Sequence, residues 1–429
     1  MTISVVILLL MFALLAAGVP VGFAMGGAGA LGLYQLGGFD ALLGVLATAP
    51  LSAVSSYELI TVPMFLLMAE FVLLSGVADD LFRATAAWVG HVRGGLGMAT
   101  ALAGAGFGAI CGTSTASAAT LSATSLPAMM KQGYDPKVAA GVVAISGTLA
   151  MLIPPSVALV VFGLLAEVNI GKLLIGGVVP GILVTLAIML TVWLIAWHDP
   201  ASAPASPRVA LAEKLRLLKV VGPMIVLLGL VTGVIYSGVA TPTEASALGA
   251  SGAFALVLWR RSGSLATVHQ ATLRAAHGTC MIATILLGAM LLGYFFTLTH
   301  VTQNLIEWVG ALNQSRWVII AVLLLMYIVL GAFMDQIAIL VLTVPVVIPI
   351  IKSLGFDPIW FGVIKIVTAE VGMITPPIGL NCFIVARYAN RPIAEVFRGT
   401  LPHFIAHLFV IAVLVAFPDL ILWLPSKMK

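Results

Sequence analysis

Charge is what this sequence has least of. Only 8% of its 429 residues are Asp, Glu, Lys or Arg, against about a quarter in a soluble domain, and 61% are hydrophobic. That scarcity excludes a water-soluble globular chain. Apolar runs of roughly the 20 residues that a bilayer crossing needs recur along nearly the whole length, for example at 220–236, 275–298 and 401–424, and leave no room for a sizeable aqueous domain. Cysteine is scarce too. Cys111, Cys280 and Cys382 lie in apolar segments without metal-ligand spacing, so neither a disulfide framework nor a cysteine metal site is expected. The basic residues stand singly in short loops, so the net charge of +4 does not point to nucleic acid. No Walker A pattern, Ser/His/Asp set or His/Glu metal signature is present, and neither catalytic residues nor an organic cofactor is expected. The N-terminus is apolar from Ile3 with no basic stretch before it, so a cleaved signal peptide is not expected. These exclusions leave an all-α integral membrane protein of the multi-pass kind, embedded in a lipid bilayer.

What the sequence does have is a repeat at an offset of 222 residues. Tyr134-Asp135-Pro136 recurs as Phe356-Asp357-Pro358, and Met151 followed by Pro154-Pro155 recurs as Met373 followed by Pro376-Pro377. Pro127 falls on Pro349, Gly133 on Gly355, Gly177 on Gly399 and Pro180 on Pro402, with no gap. Each unit reads alike: a small or polar interruption of an apolar stretch, a short polar corner, then an apolar helix broken in its middle by a double proline. Two prolines remove backbone donors and clash with the preceding turn, which unwinds a helix locally. Unwound backbone at membrane depth survives only where protein or a water-lined cavity satisfies it.

The Lys and Arg distribution gives the orientation. Placing 78–94, 131–137, 198–219, 260–274 and 387–398 on the cytoplasmic side puts fourteen basic residues there, Arg261 among them. The other side then holds five, Lys429 among them, and Lys365 alone lies within a helix. The positive-inside rule favours this arrangement, which sets the 131–137 corner and its equivalent 352–358 on opposite faces. The repeats are therefore inverted, and 95–130 and 317–352 read as re-entrant helical hairpins, the alternative being ordinary pairs of kinked helices. The expected segments are 1–94, scaffold helices; 95–197, a first repeat; 198–218, a cytoplasmic linker whose end at 210–218 forms a short amphipathic helix, as strut or passive tether; 219–316, further scaffold; and 317–429, the second repeat.

Inverted repeats with paired discontinuous helices point to a midplane site of a secondary transporter. Unwound carbonyls and hydroxyls are ligands for a hard cation such as sodium, and half-helix N-termini suit an anion. One cluster is Gly112-Thr113-Ser114-Thr115-Ala116-Ser117 facing Gly147-Thr148 and Ile153-Pro154-Pro155-Ser156; the other is Gly331 to Asp335 facing Gly372 and Thr375-Pro376-Pro377, with Asn381 a turn beyond. Each pairs a hairpin tip with the broken helix of its own repeat. Plainer readings stand beside these. Ser and Thr in membrane helices bond back to their own backbone, the run Gly104, Gly108, Gly112 reads as small-residue packing, and Asp335 serves either function or a helix cap. Lys365 and Glu370, five apart, read as structural, paired with each other or with other polar groups of the bundle, and His277 and His300 read as interfacial residues.

The stretch 108–117, the segment Ile153-Pro154-Pro155-Ser156, the motif Ala240-Thr241-Pro242-Thr243-Glu244-Ala245 and the run 372–381 (GMITPPIGLN) together resemble, across essentially the whole chain, the large membrane subunit of TRAP transporters, tripartite ATP-independent periplasmic carriers. The resemblance implies an elevator-type secondary transporter of the bacterial inner membrane, driven by sodium ions. Its partners would be a small four-helix membrane subunit, here a separate polypeptide, and a periplasmic substrate-binding protein, and its substrate a small organic anion. Carried onto this sequence, the sodium candidates are Gly112, Ser114, Thr115, Gly147, Thr148, Pro154, Gly331, Asp335, Gly372 and Thr375. The substrate candidates are Thr113, Ser117, Ser156 and Asn381. Glu244 is expected to be structural, in a scaffold turn. A self-sufficient sodium/dicarboxylate carrier is the alternative within transport, and a membrane enzyme or assembly factor, or a channel, outside it.

Overall fold

The computed structural model describes residues 2–260 and 263–428; Arg261 and Lys429, both counted in the charge distribution, lie outside them. Among the described residues the secondary structure is helical throughout, and eight helices are long and apolar enough to cross a membrane. The first run comprises α1 (Thr2–Ala16), α2 (Val21–Val54), a 3-10 turn at Tyr57–Ile60, α3 (Thr61–Leu74) and α4 (Val77–Val89). The first repeat follows as α5 (Gly95–Cys111), α6 (Ser114–Lys131), α7 (Pro136–Thr148), α8 (Val157–Ala166), α9 (Ile170–Gly176) and α10 (Val178–His198). The second half opens with α11 (Leu211–Tyr236), α12 (Pro242–Arg260), α13 (Leu265–Leu298) and α14 (Val301–Ala311). Its repeat is α15 (Arg316–Phe333), α16 (Gln336–Ser353), α17 (Pro358–Gly372), α18 (Leu380–Ala389), α19 (Ile393–Ala416) and α20 (Asp419–Ser426).

The repeated residues are helix punctuation. Gly133 and Gly355 take positive φ, 85° and 75°, at the ends of α6 and α16, a conformation with no steric penalty only for glycine. Asp135 and Asp357 then cap the next helices. Asp135 Oδ1 accepts the Lys137 N–H at 2.8 Å, and Asp357 Oδ1 accepts Ile359 N–H at 2.6 Å and Trp360 N–H at 3.3 Å. Proline follows at the first helical position, where its missing donor costs nothing. The expected breaks are present: α7 gives way to a 3-10 turn at Leu149–Met151 and an unwound stretch before α8, and α17 stops at Gly372 before α18. Both Pro-Pro bonds in these breaks are cis.

The two corners sit at opposite ends of α19. A side chain at Gly399 would meet the backbone of Lys137 and Gly141, while Trp360 Nε1 donates to the Leu414 carbonyl at 3.2 Å. Fifteen residues of helix separate these contacts, roughly 22 Å at the α-helical rise, so the repeats are inverted. At the first corner's end, Arg260 meets Asp80 at 2.5 Å and Lys214 stacks over Trp88. At the other, Arg316, Trp317, Phe356 and Trp360 form an aromatic cluster.

Outside the repeats, α2 lies along α13 and α3 packs on both α12 and α13. The α2–α13 contact is close because Gly22, Gly29 and Gly32 let the backbones meet around Thr284, Leu292 and Phe295. The repeats interlock rather than stand apart. The first arm of each hairpin packs on the first half of its own broken helix, α5 on α7 and α15 on α17. The second arms touch both repeats: α6 packs on α7 and also on α18, and α16 on α17 and also on α8.

The linker departs from expectation. Residues 211–218 are not a separate amphipathic helix but the first two turns of α11. The preceding residues are a fastened strap rather than a slack tether: Gly94 N–H and Asp135 N–H donate to the carbonyls of Ala203 and Ser202, at 2.9 and 2.8 Å, and Ser206 N–H donates to Gly90 at 2.8 Å.

The Thr241-Pro242-Thr243-Glu244 motif is a capping box that opens α12. Glu244 Oε2 accepts the Thr241 N–H at 2.8 Å and its hydroxyl at 2.9 Å, while Thr241 Oγ1 accepts the Glu244 N–H at 3.3 Å. Its role is structural, as the sequence suggests. The Thr241 backbone and hydroxyl donors hold the exposed Glu244 carboxyl below its ordinary value near 4.5. A group lowered in the folded state stabilises above its unfolded pKa and loses that contribution as pH falls through the folded one. Glu244→Gln therefore lowers the unfolding midpoint at neutral pH, and the deficit shrinks below about pH 4, as thermal scans across pH will register. Gly399→Ala drives a methyl into the Lys137 carbonyl, and overpacking of this kind costs about 1–3 kcal/mol; a thermal midpoint equal to wild type would contradict the close α7–α19 contact.

Candidate functional site

The tips and breaks meet in two junctions. In the first, α5 ends at Gly112, which has φ 63°, and Thr113 is extended before α6 begins. The run Gly104, Gly108, Gly112 is the packing face: side chains there would strike the Ser146 carbonyl, the Ala150 backbone and Val157. Gly147 is closed against Ala118 of α6 in the same way. Ser156 caps α8, accepting the Leu159 N–H at 3.3 Å and donating to the Met151 carbonyl at 2.5 Å, and the Thr148 hydroxyl donates to the Ile145 carbonyl at 2.7 Å. Pro154, Pro155 and Ser156 are all buried.

The second junction repeats the packing with different chemistry. Gly331 of α15 lies against Ala369 and Gly372 of α17, so close that a methyl on either glycine would overlap the other helix's backbone. The Gly379 N–H donates to the Ala332 carbonyl at 3.2 Å, tying the break to the tip. Asp335 is exposed and caps α16, its Oδ1 accepting Ile337 and Ala338 N–H at 2.9 and 3.2 Å. The Thr375 hydroxyl donates to its own helix at Val371, 2.7 Å away. Pro376, Pro377 and Ile378 are exposed, unlike their counterparts in the first break.

Two expectations are corrected here. The tips do not serve their own repeats alone: the Ser114 hydroxyl of the first tip points to Met373 Sδ in the second break, 3.5 Å away, and Asn381 Nδ2 of α18 reaches the Ala144 carbonyl of α7 at 3.5 Å. The contact of each second arm with the other repeat brings this about. Lys365 and Glu370 do not form an ion pair within 4 Å; among the described residues the salt bridges involve other groups. Five residues along a helix turn the two side chains to different faces. The Lys365 ammonium lies 5.1 Å from the centroid of the Tyr327 ring, whose hydroxyl donates to Thr343 at 3.0 Å.

Four half-helices start at these junctions: α6, α8, α16 and α18. Side chains cap α8 and α16, through Ser156 and Asp335, but α6 and α18 begin at Thr113 and Gly379 without a side-chain cap. These uncapped two pack on each other. Their first turns carry Ser117 and Asn381, fully buried, whose Oγ and Oδ1 have no partner. Positive helix ends and the idle Ser117 hydroxyl suit an anionic group, whereas Asn381 Oδ1, an acceptor only, suits a cation or a hydrogen-bond donor. Thr115 is half-buried on the same turn. Two buried histidines, His403 and His407 of α19, pass unremarked in the sequence reading; both His403 nitrogens lack partners, and their four-residue spacing within a membrane helix was the available signal. His300 starts α14, in a left-handed turn.

Comparison with known proteins agrees with this architecture. The chain matches the family described as the tripartite ATP-independent periplasmic transporter DctM component over residues 8–420. It is 36% identical, over 86% of each chain, to the C4-dicarboxylate TRAP transporter large permease protein DctM of Pseudomonas aeruginosa. It is 31% identical to the ectoine/5-hydroxyectoine TRAP transporter large permease protein UehC of Ruegeria pomeroyi, over 97% of each chain. Among solved structures the Alcanivorax borkumensis YdaH transporter superposes with a TM-score of 0.66 over 89% of each chain; at 17% identity that likeness concerns the fold alone.

Asp335 can be tested as a cap. Asp335→Ala should cost about 1 kcal/mol of stability, whereas Asp335→Asn, whose amide oxygen accepts the same two N–H groups, should leave the thermal midpoint near wild type. Equal losses in both variants would make its charge, not its cap, the stabilising feature.

Proposed function

The chain belongs to the family of the DctM component of tripartite ATP-independent periplasmic transporters, a permease rather than an enzyme, and from that membership we propose that it is the translocating subunit of a sodium-coupled uptake system for small organic acids in the bacterial inner membrane. The observation that carries the reading is the convergence of uncapped α6 and α18 at the interlocked junctions, with the Ser117 hydroxyl unpartnered beside them. An anionic group of the substrate takes up those N–H groups of the first turns that no carbonyl already engages, the Asn381 N–H being bonded to Met373. Sodium binds where tip and break meet, drawing on backbone carbonyls near Gly112, Gly147, Pro154, Gly331 and Gly372 and on the hydroxyls of Ser114 and Thr115. Because Thr148, Ser156 and Thr375 hydrogens already bond to carbonyls, those residues contribute lone pairs rather than donors.

The substrate class follows the relatives. Their names specify C4-dicarboxylate, ectoine/5-hydroxyectoine, sialic acid and isethionate, all small polar molecules bearing a carboxylate or sulfonate. A C4-dicarboxylate or a related keto or sugar acid is the reading closest to the 36% identical relative. The small membrane subunit and the periplasmic binding protein are proposed as partners on family grounds. The Oleidesulfovibrio alaskensis isethionate permease named DctMQ, of which this chain spans 61%, has length to spare for such a subunit. In this reading α5–α6 and α15–α16 are re-entrant hairpins, one from each face, and the interlocked repeats slide as one body past the α2–α13 and α3–α12 pairs.

The test is uptake of labelled organic acids into proteoliposomes holding this chain and its small membrane partner, with and without an inward sodium gradient and a candidate binding protein. Accumulation that requires both is the expected result. Sodium-driven uptake indifferent to the binding protein would make the chain a self-sufficient carrier, and uptake indifferent to sodium would remove the coupling.

A further inference from the structure

One face of α11 is left uncovered along much of its length. The helix packs on α4 and on α9, and between those contacts a cleft of about 510 Å³ separates it from α5 and α10. Ile225 and Leu228 of α11 form one wall and Ile182 and Leu186 of α10 the other, with Pro154 of the first break also lining it. Apart from two threonines the lining is apolar, and one of these, Thr185, spends its hydroxyl on the Gly181 carbonyl at 2.7 Å. Ile182, Leu186 and Ile225 are about half exposed, so the cleft opens sideways. Water has no partners in such a place, and an unfilled cleft would forfeit the dispersion contacts of its walls.

The cleft continues as a stripe toward the basic end of both helices. Leu218 and Leu211 precede Ile225 by close to two and four whole turns, so the three share one face, and all are exposed. Lys214 lies on that face too, three turns or about 16 Å before Ile225. Its ammonium stands 5.5 Å from the centroid of the Trp88 ring and, among the described residues, meets no carboxylate within 4 Å. On α10, Trp193 and Trp197 follow Leu186 by about two and three turns and are exposed as well. Tryptophan and lysine at the foot of an apolar stripe mark the level of lipid headgroups. Residues 207–219 carry Arg208, Lys214, Arg216 and Lys219 against Glu213 alone, and Glu213 is already met by Arg216 at 3.7 Å. The unspent charge there is positive.

We propose that this cleft is the site of one anionic phospholipid, with an acyl chain between α11 and α10 and the headgroup phosphate against Lys214. Charge complementarity selects the occupant. A partner's membrane helix would cover the same apolar stripe but would have to bring its own carboxylate to Lys214, whereas an anionic phospholipid joins both features in one molecule. The positive-inside assignment places that lipid in the cytoplasmic leaflet. The site is separate from the substrate and sodium positions proposed above. Its use rests on the sliding movement of that reading: a fluid chain stays in contact with α11 and α10 as they shift, where interdigitated side chains would have to part and repack.

The test is native mass spectrometry of the full chain in detergent micelles, titrated with dioleoyl phosphatidylglycerol or dioleoyl phosphatidylcholine. A saturable adduct of one phosphatidylglycerol is expected, formed at lower concentration than with phosphatidylcholine. Gly229 lines the cleft, and a Cβ added there meets nothing within 4 Å. Gly229→Phe therefore fills the cleft without a clash and should raise the half-saturating concentration about tenfold or more. Gly233→Phe, equally open on the same helix but outside the lining, should leave it unchanged. Lys214→Gln should reduce phosphatidylglycerol binding to the phosphatidylcholine level, with the lipid-free thermal midpoint of each variant confirming its fold. An adduct indifferent to Gly229→Phe would place the lipid elsewhere and overturn the site. Equal binding of the two lipids by wild type would overturn the headgroup assignment. An adduct lost on adding the small membrane subunit would give the cleft to that subunit and overturn the proposal as well. None of these readouts uses sodium or substrate, so the lipid site and the transport reading stand or fall separately.

Discussion

A helix that breaks inside a membrane strands backbone donors and acceptors where lipid offers them nothing, and the need to answer those groups from within the protein shapes the rest of this molecule. The Gly379 N–H finds the Ala332 carbonyl, the Asn381 N–H finds Met373, and the Met151 carbonyl receives the Ser156 hydroxyl. The last two bonds close within the breaks, while the first requires a hairpin tip to come within backbone distance of the break. Glycine and alanine make that approach possible, through Gly108 on Ala150 and Gly331 on Gly372. The same contact fixes where four half-helices begin, and so where the site is.

Much of this is legible in the sequence because its cause is local. A positive-φ glycine, a capping aspartate and a proline at the first helical position act within a few residues, so Gly133-Tyr134-Asp135-Pro136 and its copy mark the corners unmistakably, and the double prolines mark the breaks. The contact of each second arm with the opposite repeat is not legible. An offset of 222 shows that the units are alike, but which unit touches which is settled by packing far apart in sequence. The start of α11 is hidden for a different reason: Leu211 to Leu218 has the amphipathic character of a surface helix, yet its helix-forming residues run without a stop signal into the apolar stretch beyond. Lys365 and Glu370 invite pairing by charge, and helix geometry denies it.

The junctions share a frame and differ in content. The first is neutral, rich in hydroxyls and closed over Pro154 and Pro155; the second holds Asp335, Lys365 and Glu370 and leaves Pro376 to Ile378 exposed. The two repeats share their backbone devices, the positive-φ glycine, capping aspartate and double proline, while the side chains at their breaks differ.

The packing of α6 on α18 and of α16 on α8 has a consequence for how the protein is made. Synthesis delivers the first repeat with its closing partners still unwritten: α8 waits for α16, and α6 for α18, some two hundred residues later. Until those arrive, α6 has α5 and α7 beside it, but the break after Met151 and the first turn of α6 lack the contacts that α16 and α18 supply. The second half therefore completes the junctions that the first half begins, from inside the bundle.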